Sequence, residues 1–175
     1  MILNLRLAKS IMEQEEGMNH LWIQLLPLEF STIEKAEVSI QLPNGLYRMS
    51  NLNGYEEGDT NGIFINLSQD NDILLELYTQ TAVDFDEASV IVTLSFKDTE
   101  NRWKKLSKVI TIRFVADEEM GETLELDQQV IERVKELRNH ATGEPDSNDL
   151  VVLQPRIYEL RNNKYAYFEK MYRVE

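Results

Sequence analysis

The segment Ser89–Val115 carries the strongest pattern in the chain, two runs of alternating apolar and polar residues joined by a polar connection at 98–105. Alternation with a period of two predicts strands, and two such runs around a turn predict a long β-hairpin. An isolated hairpin is only marginally stable in water, so its apolar face must be covered by other strands. The residues expected on that face are Val90, Val92, Leu94, Phe96, Ile110, Ile112 and Phe114.

The preceding residues supply further strands. Apolar or alternating runs begin at Ile2, His20, Ile33, Ile63 and Ile73, and turn residues separate them. Residues 43–62 hold four of the seven glycines and are expected to form irregular loops. A further loop is expected between the first two strands, containing Glu13, Glu15, Glu16 and Gly17. About seven short strands separated by turns predict a mainly β protein, an Ig-like antiparallel β-sandwich.

After Ala116 the period changes from that of a strand to that of a helix. Asp127 is placed to cap a helix, and Gly143 followed by Pro145 is placed to end it, so we predict a helix at about 126–141. The sandwich, the C-terminal tail or a partner must cover its apolar stripe. That stripe consists of Leu126, Val130, Val134 and Leu137.

The tail at 155–173 fits two structures. It forms a second helix that begins with Pro155, or a hairpin that turns at Asn162-Asn163. Its content of Arg, Lys, Glu, Ala and Met favours the helix. We therefore predict a β-sandwich domain at residues 1–116 and a C-terminal helical segment, an α appendage, at residues 117–175.

Composition excludes several classes of partner. With 31 acidic and 18 basic residues, the net charge of −13 repels nucleic acid and anionic membranes. No apolar run approaches the length of a membrane span, and the first residues lack the apolar block of a signal peptide, so we expect a cytoplasmic protein. The absence of cysteine excludes disulfides, thiolate metal sites and cysteine nucleophiles.

The sequence contains no motif for catalysis. His20 and His140 lack partners at a recognisable spacing, and neither a Gly-x-Ser-x-Gly motif nor a glycine-rich phosphate loop is present. We therefore predict a protein that is not an enzyme and has no cofactor. Acidic loops provide one alternative, a calcium site built from carboxylates, although no twelve-residue calcium loop occurs. Those acidic groups are Glu56, Glu57 and Asp59; Asp70 and Asp72; Asp84, Asp86 and Glu87; and Asp117, Glu118 and Glu119.

Two aromatic groups are candidates for protein contacts. Trp103 lies between Arg102 and Lys104, in the combination of aromatic and cationic side chains typical of interface anchors. The simpler interpretation is that this tryptophan begins the returning strand and folds onto a neighbouring loop. Tyrosines of the tail form a second candidate surface, with packing on the protein's own domain as the simpler interpretation. They are Tyr158, Tyr165, Tyr167 and Tyr172, with Phe168 beside them.

The succession of strands and turns resembles a known accessory domain. The runs Val38–Leu46, Gly62–Leu67 and Ile73–Leu77, followed by the long hairpin and the helix, are similar to the β-sandwich that follows the von Willebrand type A domain in some bacterial proteins. The Asp-x-Ser-x-Ser metal motif of the type A domain itself is absent. The resemblance implies an accessory module without catalytic activity.

These observations lead to one principal functional hypothesis, a module for protein–protein interaction or scaffolding that binds a protein partner or forms a homo-oligomer. The alternative is a sandwich that binds a small ligand or carbohydrate through aromatic and acidic loop residues, with or without calcium.

Overall fold

The computed structural model describes residues 1–26 and 35–142 and shows the predicted mainly β fold, with strands in two sheets and a helix after them. Within these residues a 3₁₀ turn at Asp117–Glu119 precedes the helices α1 (Met120–Thr123) and α2 (Gln128–Thr142). The strands are β1 (Ile2–Leu7), β2 (Ile11–Glu13), β3 (Met18–Leu26), β4 (Lys35–Gln41), β5 (Leu46–Arg48), β6 (Ile63–Asn66), β7 (Asp72–Thr79), β8 (Glu87–Lys97) and β9 (Trp103–Val115).

The strands form a four-stranded sheet in the order β1-β3-β7-β5 and a five-stranded sheet in the order β2-β9-β8-β4-β6. The pairs within these sheets are antiparallel except β2–β9, which is parallel. The apolar face predicted for the long hairpin lies in the core between the sheets, where Val90, Val92, Leu94 and Ile112 are fully buried.

The chain changes sheets between β1 and β2. The three residues Ala8–Ser10 carry it from the edge of one sheet to the edge of the other. The segment before α2 bonds to them: the Ser10 amide donates to the Glu125 carbonyl at 2.9 Å, and the Asp127 amide donates to the Ala8 carbonyl at 2.9 Å. Residues far apart in sequence therefore fix this crossing.

Helix α2 lies on the outer face of the four-stranded sheet. Its side chains Val130 and Val134 are fully buried and cluster with Ala8 and Leu74, while Leu126 and Leu137 are partly buried at the rim. The Asp127 carboxylate caps the helix, because its Oδ1 accepts a hydrogen bond from the Gln129 amide at 3.1 Å. Of the three covers considered for the apolar stripe, the sandwich is the one that the structure shows.

Two strands were not predicted. The segment Ile11–Glu13 is buried at every position, so its sequence shows no alternation of apolar and polar residues. Glu13 is the last residue of this strand and is 7% exposed, so the prediction that Glu13 lies in a loop was wrong. The segment Leu46–Arg48 lies among residues interpreted as irregular loop. The predicted start of the third run, at Ile33, and the whole tail lie outside the described residues, and the division at residue 116 stays a prediction.

The helices in the described part of the chain are too short and too polar to cross a membrane.

Candidate functional site

The tip of the β8–β9 hairpin exposes the tryptophan noted in the sequence. Trp103 is the first residue of β9, as the simpler interpretation predicted, but its side chain is 65% exposed. Its ring contacts the hairpin's other strand, where the Lys97 ammonium lies 5.4 Å from the ring centroid. The ring therefore forms a cation–π contact at the surface and keeps most of its area exposed to solvent.

Asp98 fixes the loop that joins the two strands. Its Oδ1 accepts hydrogen bonds from the Arg102 amide at 2.9 Å and the Glu100 amide at 3.0 Å. These backbone hydrogen bonds, that from Arg102 first, hold the pKa of Asp98 below its ordinary value. The Arg102 side chain also pairs with Glu100 at 2.6 Å, whereas the Lys104 ammonium is 3.9 Å from Asp98. The tip is therefore ordered by local bonds. Nearby carboxylates neutralise the positive charge of Lys104 less than that of Arg102.

The backbone bonds of β9 alternate in direction. The Phe114 amide donates to the Asp86 carbonyl at 2.7 Å, and the Asp98 amide donates to the Arg102 carbonyl at 2.9 Å. Opposite residues of an antiparallel pair alternate between bonded and non-bonded positions, so the even-numbered residues of β9 bond to β8. The odd-numbered residues direct their N–H and C=O groups away from β8, as the Val115 carbonyl does when it accepts from the Gln14 amide.

In the part of the chain that the structure describes, β2 is the strand paired on this outer side, and it reaches Arg113–Val115. The rest of that side, at residues 103–111, is called the open edge here. The whole strand β9, Trp103–Val115, contains four cationic residues and no acidic residue. They are Lys104, Lys105, Lys108 and Arg113.

Two pairs of ionisable side chains lie inside the fold, and their pairing was not found from the sequence. The Lys9 ammonium, 1% exposed, is 3.2 Å from the Glu13 carboxylate, and burial lowers its pKa to about 8. His20 is also fully buried, with Nε2 3.3 Å from the Glu76 carboxylate, and burial lowers its pKa. Lys9, which follows β1, is paired with Glu13 of β2, and His20 of β3 lies beside Glu76 of β7. These buried pairs connect neighbouring segments of the fold, so their arrangement is one of structural support.

Three of the acidic residues considered for calcium have structural partners. Asp70 is one, because its Oδ2 accepts from the Asn66 amide at 2.8 Å. Asp72 is 5% exposed and accepts hydrogen bonds from Trp22 and Arg133. Glu57 accepts from the Asn51 amide at 2.7 Å and from Arg48 at 3.0 Å. Among residues 1–26 and 35–142, no three His, Asp or Glu side chains converge on a point where a metal ion would fit.

An open groove of about 610 Å³ runs between β1, β9 and the segment before α2. Arg6 crosses it and binds the Asp127 carboxylate through Nε and Nη2, both at 2.8 Å, and its Nη1 donates to Gln129. These polar groups already bind each other, and the Ser10 hydroxyl accepts from the Glu125 amide at 2.9 Å. Gln128 and Thr111 also lie along the walls. The tail tyrosines Tyr158, Tyr165 and Tyr167 lie outside the described residues.

Comparison with known proteins identifies no family. No family model matches the chain, and no curated protein matches it, so the resemblance to the module that follows the type A domain stays a prediction at that level.

Several solved structures resemble part of the fold at low sequence identity. The major pilin subunit BcpA of Bacillus cereus is similar with a TM-score of 0.43 and 11% identity, over 65% of this chain and 40% of that chain. The collagen-binding subdomain of the Enterococcus faecalis surface protein ACE is similar with a TM-score of 0.31 and 10% identity, over 65% and 97%. An AAF fimbriae structure of enteroaggregative Escherichia coli has a TM-score of 0.25 and 12% identity, over 63% and 99%.

Proposed function

We propose that this protein is a non-enzymatic module for protein–protein interaction and that the hairpin tip with Arg102, Trp103 and Lys104 forms its contact surface. The observation that carries the proposal is the 65% exposure of Trp103 at a tip whose loop is bonded locally to Asp98.

A partner that covered this ring would gain substantial free energy. Burying the exposed part of a tryptophan contributes roughly 3–4 kcal/mol, and binding interfaces concentrate their energy in such aromatic and arginine side chains. Binding costs less conformational entropy when the contact surface is already ordered, and the hydrogen bonds to Asp98 order this tip before a partner binds. The position is therefore suited to anchor a protein surface.

The proposal is tested by affinity capture from the source organism with the full chain and two variants. Trp103→Ser should abolish capture of a defined set of proteins, identified by mass spectrometry. Phe64→Ser is the matched control, because Phe64 is also exposed, at 45%, but lies on β6 at the far edge of the same sheet. Equal capture by the wild type and Trp103→Ser would contradict the proposal.

The alternative function, binding of a small ligand or carbohydrate, has one observation in its favour, the open groove beside β1. Gln128 provides an amide group of the kind that hydrogen-bonds to sugar hydroxyls. A ligand that binds the folded protein raises its melting temperature by mass action. Melting with calcium and with a panel of oligosaccharides, on the wild type and Gln128→Ala, distinguishes this function because the interaction module predicts no shift.

A further inference from the structure

We propose that the open edge of β9 binds an extended acidic segment of a partner protein, which adds a strand to the five-stranded sheet. This inference rests on the proposed interaction function and assigns the chemical class of the partner. It extends the contact from the tip along the strand.

The backbone of the open edge is arranged for such pairing. Its odd-numbered residues direct N–H and C=O groups outward, and these groups recur about every 6.7 Å, the repeat of alternate residues in a strand. A second strand at this edge would satisfy them with a ladder of hydrogen bonds, which is how extended peptides bind exposed sheet edges. The residues concerned are Trp103, Lys105, Ser107, Val109 and Thr111.

Charge selects an acidic segment. Lys104 and Lys108 share the side of β9 that faces the other sheet, Lys105 lies on the opposite side, and all three are exposed. Side chains directly opposite each other on neighbouring strands are about 4.5–5.5 Å apart, and opposite charges there are stabilising. An added strand with Glu or Asp on both faces would therefore match the cations, whereas a basic strand would be repelled.

A second copy of this chain is a poorer match for the same edge. Pairing β9 with another β9 would place the lysines of both strands side by side, and lysines on an edge strand commonly oppose such self-pairing. It would also bring together two chains that each carry a net charge of −13. The cations of β9 are unusual in a chain of this charge, which favours a partner of opposite sign.

Ser107 allows the edge to be blocked selectively. Its N–H points away from β8, so Ser107→Pro removes a donor from the open edge and leaves the β8–β9 hydrogen bonds in place. The substitution also removes the hydroxyl contact with Thr93 at 2.8 Å. Ser107→Ala is the matched control, because it loses that contact but keeps the backbone donor.

The probe is a synthetic peptide of about nine residues in which pairs of adjacent Glu are separated by single Val or Thr residues, so that Glu lies on both faces of the strand, and which is long enough to cover the open edge. We expect it to bind the full-length protein, as measured by calorimetry. Ser107→Pro should weaken binding at least about tenfold and Ser107→Ala less than about twofold. A peptide with Lys in place of Glu, and an acidic peptide of equal charge interrupted by prolines, should not bind.

Amide exchange followed by NMR provides a measurement that does not depend on folding of the proline variant. In the unbound protein the amides of Lys105, Ser107 and Val109 should exchange quickly, and the acidic peptide should protect them. The amides of Leu106 and Lys108 should be protected in both states, because they bond to β8.

Three outcomes would overturn the inference. The first is equal binding of the acidic peptide and its proline-interrupted form, which would indicate charge attraction without strand pairing. The second is protection of the odd-numbered amides before peptide is added, since the edge would then be already covered. The third is a wild-type dimer in sedimentation that Ser107→Pro converts to monomer. If any of these occurs while capture still depends on Trp103, the proposed function stands and only the acidic-strand partner is rejected.

Discussion

The Asp72 carboxylate accepts a hydrogen bond from the indole Nε1 of Trp22 at 2.8 Å across the β3–β7 pair. The same carboxylate binds Arg133 of α2 through Nε at 2.7 Å and Nη2 at 3.0 Å. One acidic side chain, 5% exposed, therefore links two strands to the helix that covers them. The pairing also raises the pKa of Arg133 above its ordinary value, chiefly through the hydrogen bonds to Asp72.

Replacing Asp72 should loosen the helix from the sheet. Asp72→Ala leaves the indole donor and the guanidinium without their acceptor, so we expect the free energy of unfolding to fall by about 2–3 kcal/mol in urea titrations. Glu136→Ala is the control, because that residue also binds Arg133, at 3.0 Å, but is largely exposed and should cost less than about 0.5 kcal/mol. Similar losses for the two variants would contradict this role of Asp72.

Val134 tests the packing of α2 on the sheet. Its side chain is fully buried against the cluster that contains Ala8 and Leu74, so Val134→Ala should lower the free energy of unfolding by about 2 kcal/mol. Glu132 lies two residues earlier on the exposed side of the helix, and Glu132→Ala should change stability by less than about 0.5 kcal/mol. A near-neutral Val134→Ala in chemical denaturation would show that the helix does not pack tightly on this face.

Lys9 predicts an unusual dependence of stability on pH. Its pKa is about 8 in the folded protein and 10.5 in its ordinary state, so between these values the unfolded chain binds more protons than the folded one. The free energy of unfolding should therefore rise with pH above 8, by about 2–3 kcal/mol at pH 10 relative to Lys9→Met. Measurements should stop near pH 10. The pKa of Tyr55 is raised from 10.0 to about 12, so above pH 10 the folded protein binds more protons than the unfolded chain at this residue, and the free energy of unfolding falls as the pH rises.

Urea titrations at intervals from pH 7.5 to 10 check this prediction. The Lys9→Met variant should lack the rise, since methionine fills a similar volume without a charge. An equal slope in both proteins would mean that the lysine ammonium reaches solvent in the folded state.

Gly17 occupies a position that no side chain fits. A Cβ there would lie against the Glu13 carbonyl oxygen, while the Gly17 amide donates to Thr79 Oγ1 at 2.8 Å and holds the backbone in place. Gly17→Ala should therefore destabilise the protein by about 3 kcal/mol. The control is Gly121→Ala in α1, where nothing lies within 4 Å and alanine should be neutral or stabilising. Thermal melting of the two variants decides the comparison.

The sequence predicted the parts of this fold in which local pattern and environment agree. The alternation around Val92 and Ile112 predicts strands with one buried face, and the stripe around Val134 predicts a covered helix, because each pattern has the period of its element. The structure has strands and a helix at these positions.

What the sequence could not predict depends on long-range packing. Lys9 is a charged residue between Ala8 and Ser10, and nothing in the sequence around it indicates that a chain switching sheets will bury it beside Glu13. The open edge likewise could not be predicted from the sequence, because whether a strand has a second neighbour depends on the order of strands in the sheet and not on the strand's own residues. Of the candidate contact residues, the sequence identified Trp103 by its composition, while its exposure required the structure.

The crossing at Ala8–Ser10 has a consequence for how the protein is made. The Ser10 amide and the Ala8 carbonyl bond to residues 125–127, so although β1 can pair with β3 early, this crossing cannot be completed until more than a hundred further residues have left the ribosome. Contacts this distant in sequence are slow to form because the intervening chain must first be brought together. The crossing is thus synthesised long before the residues that secure it, so the partly made chain is prone to aggregation at this stage.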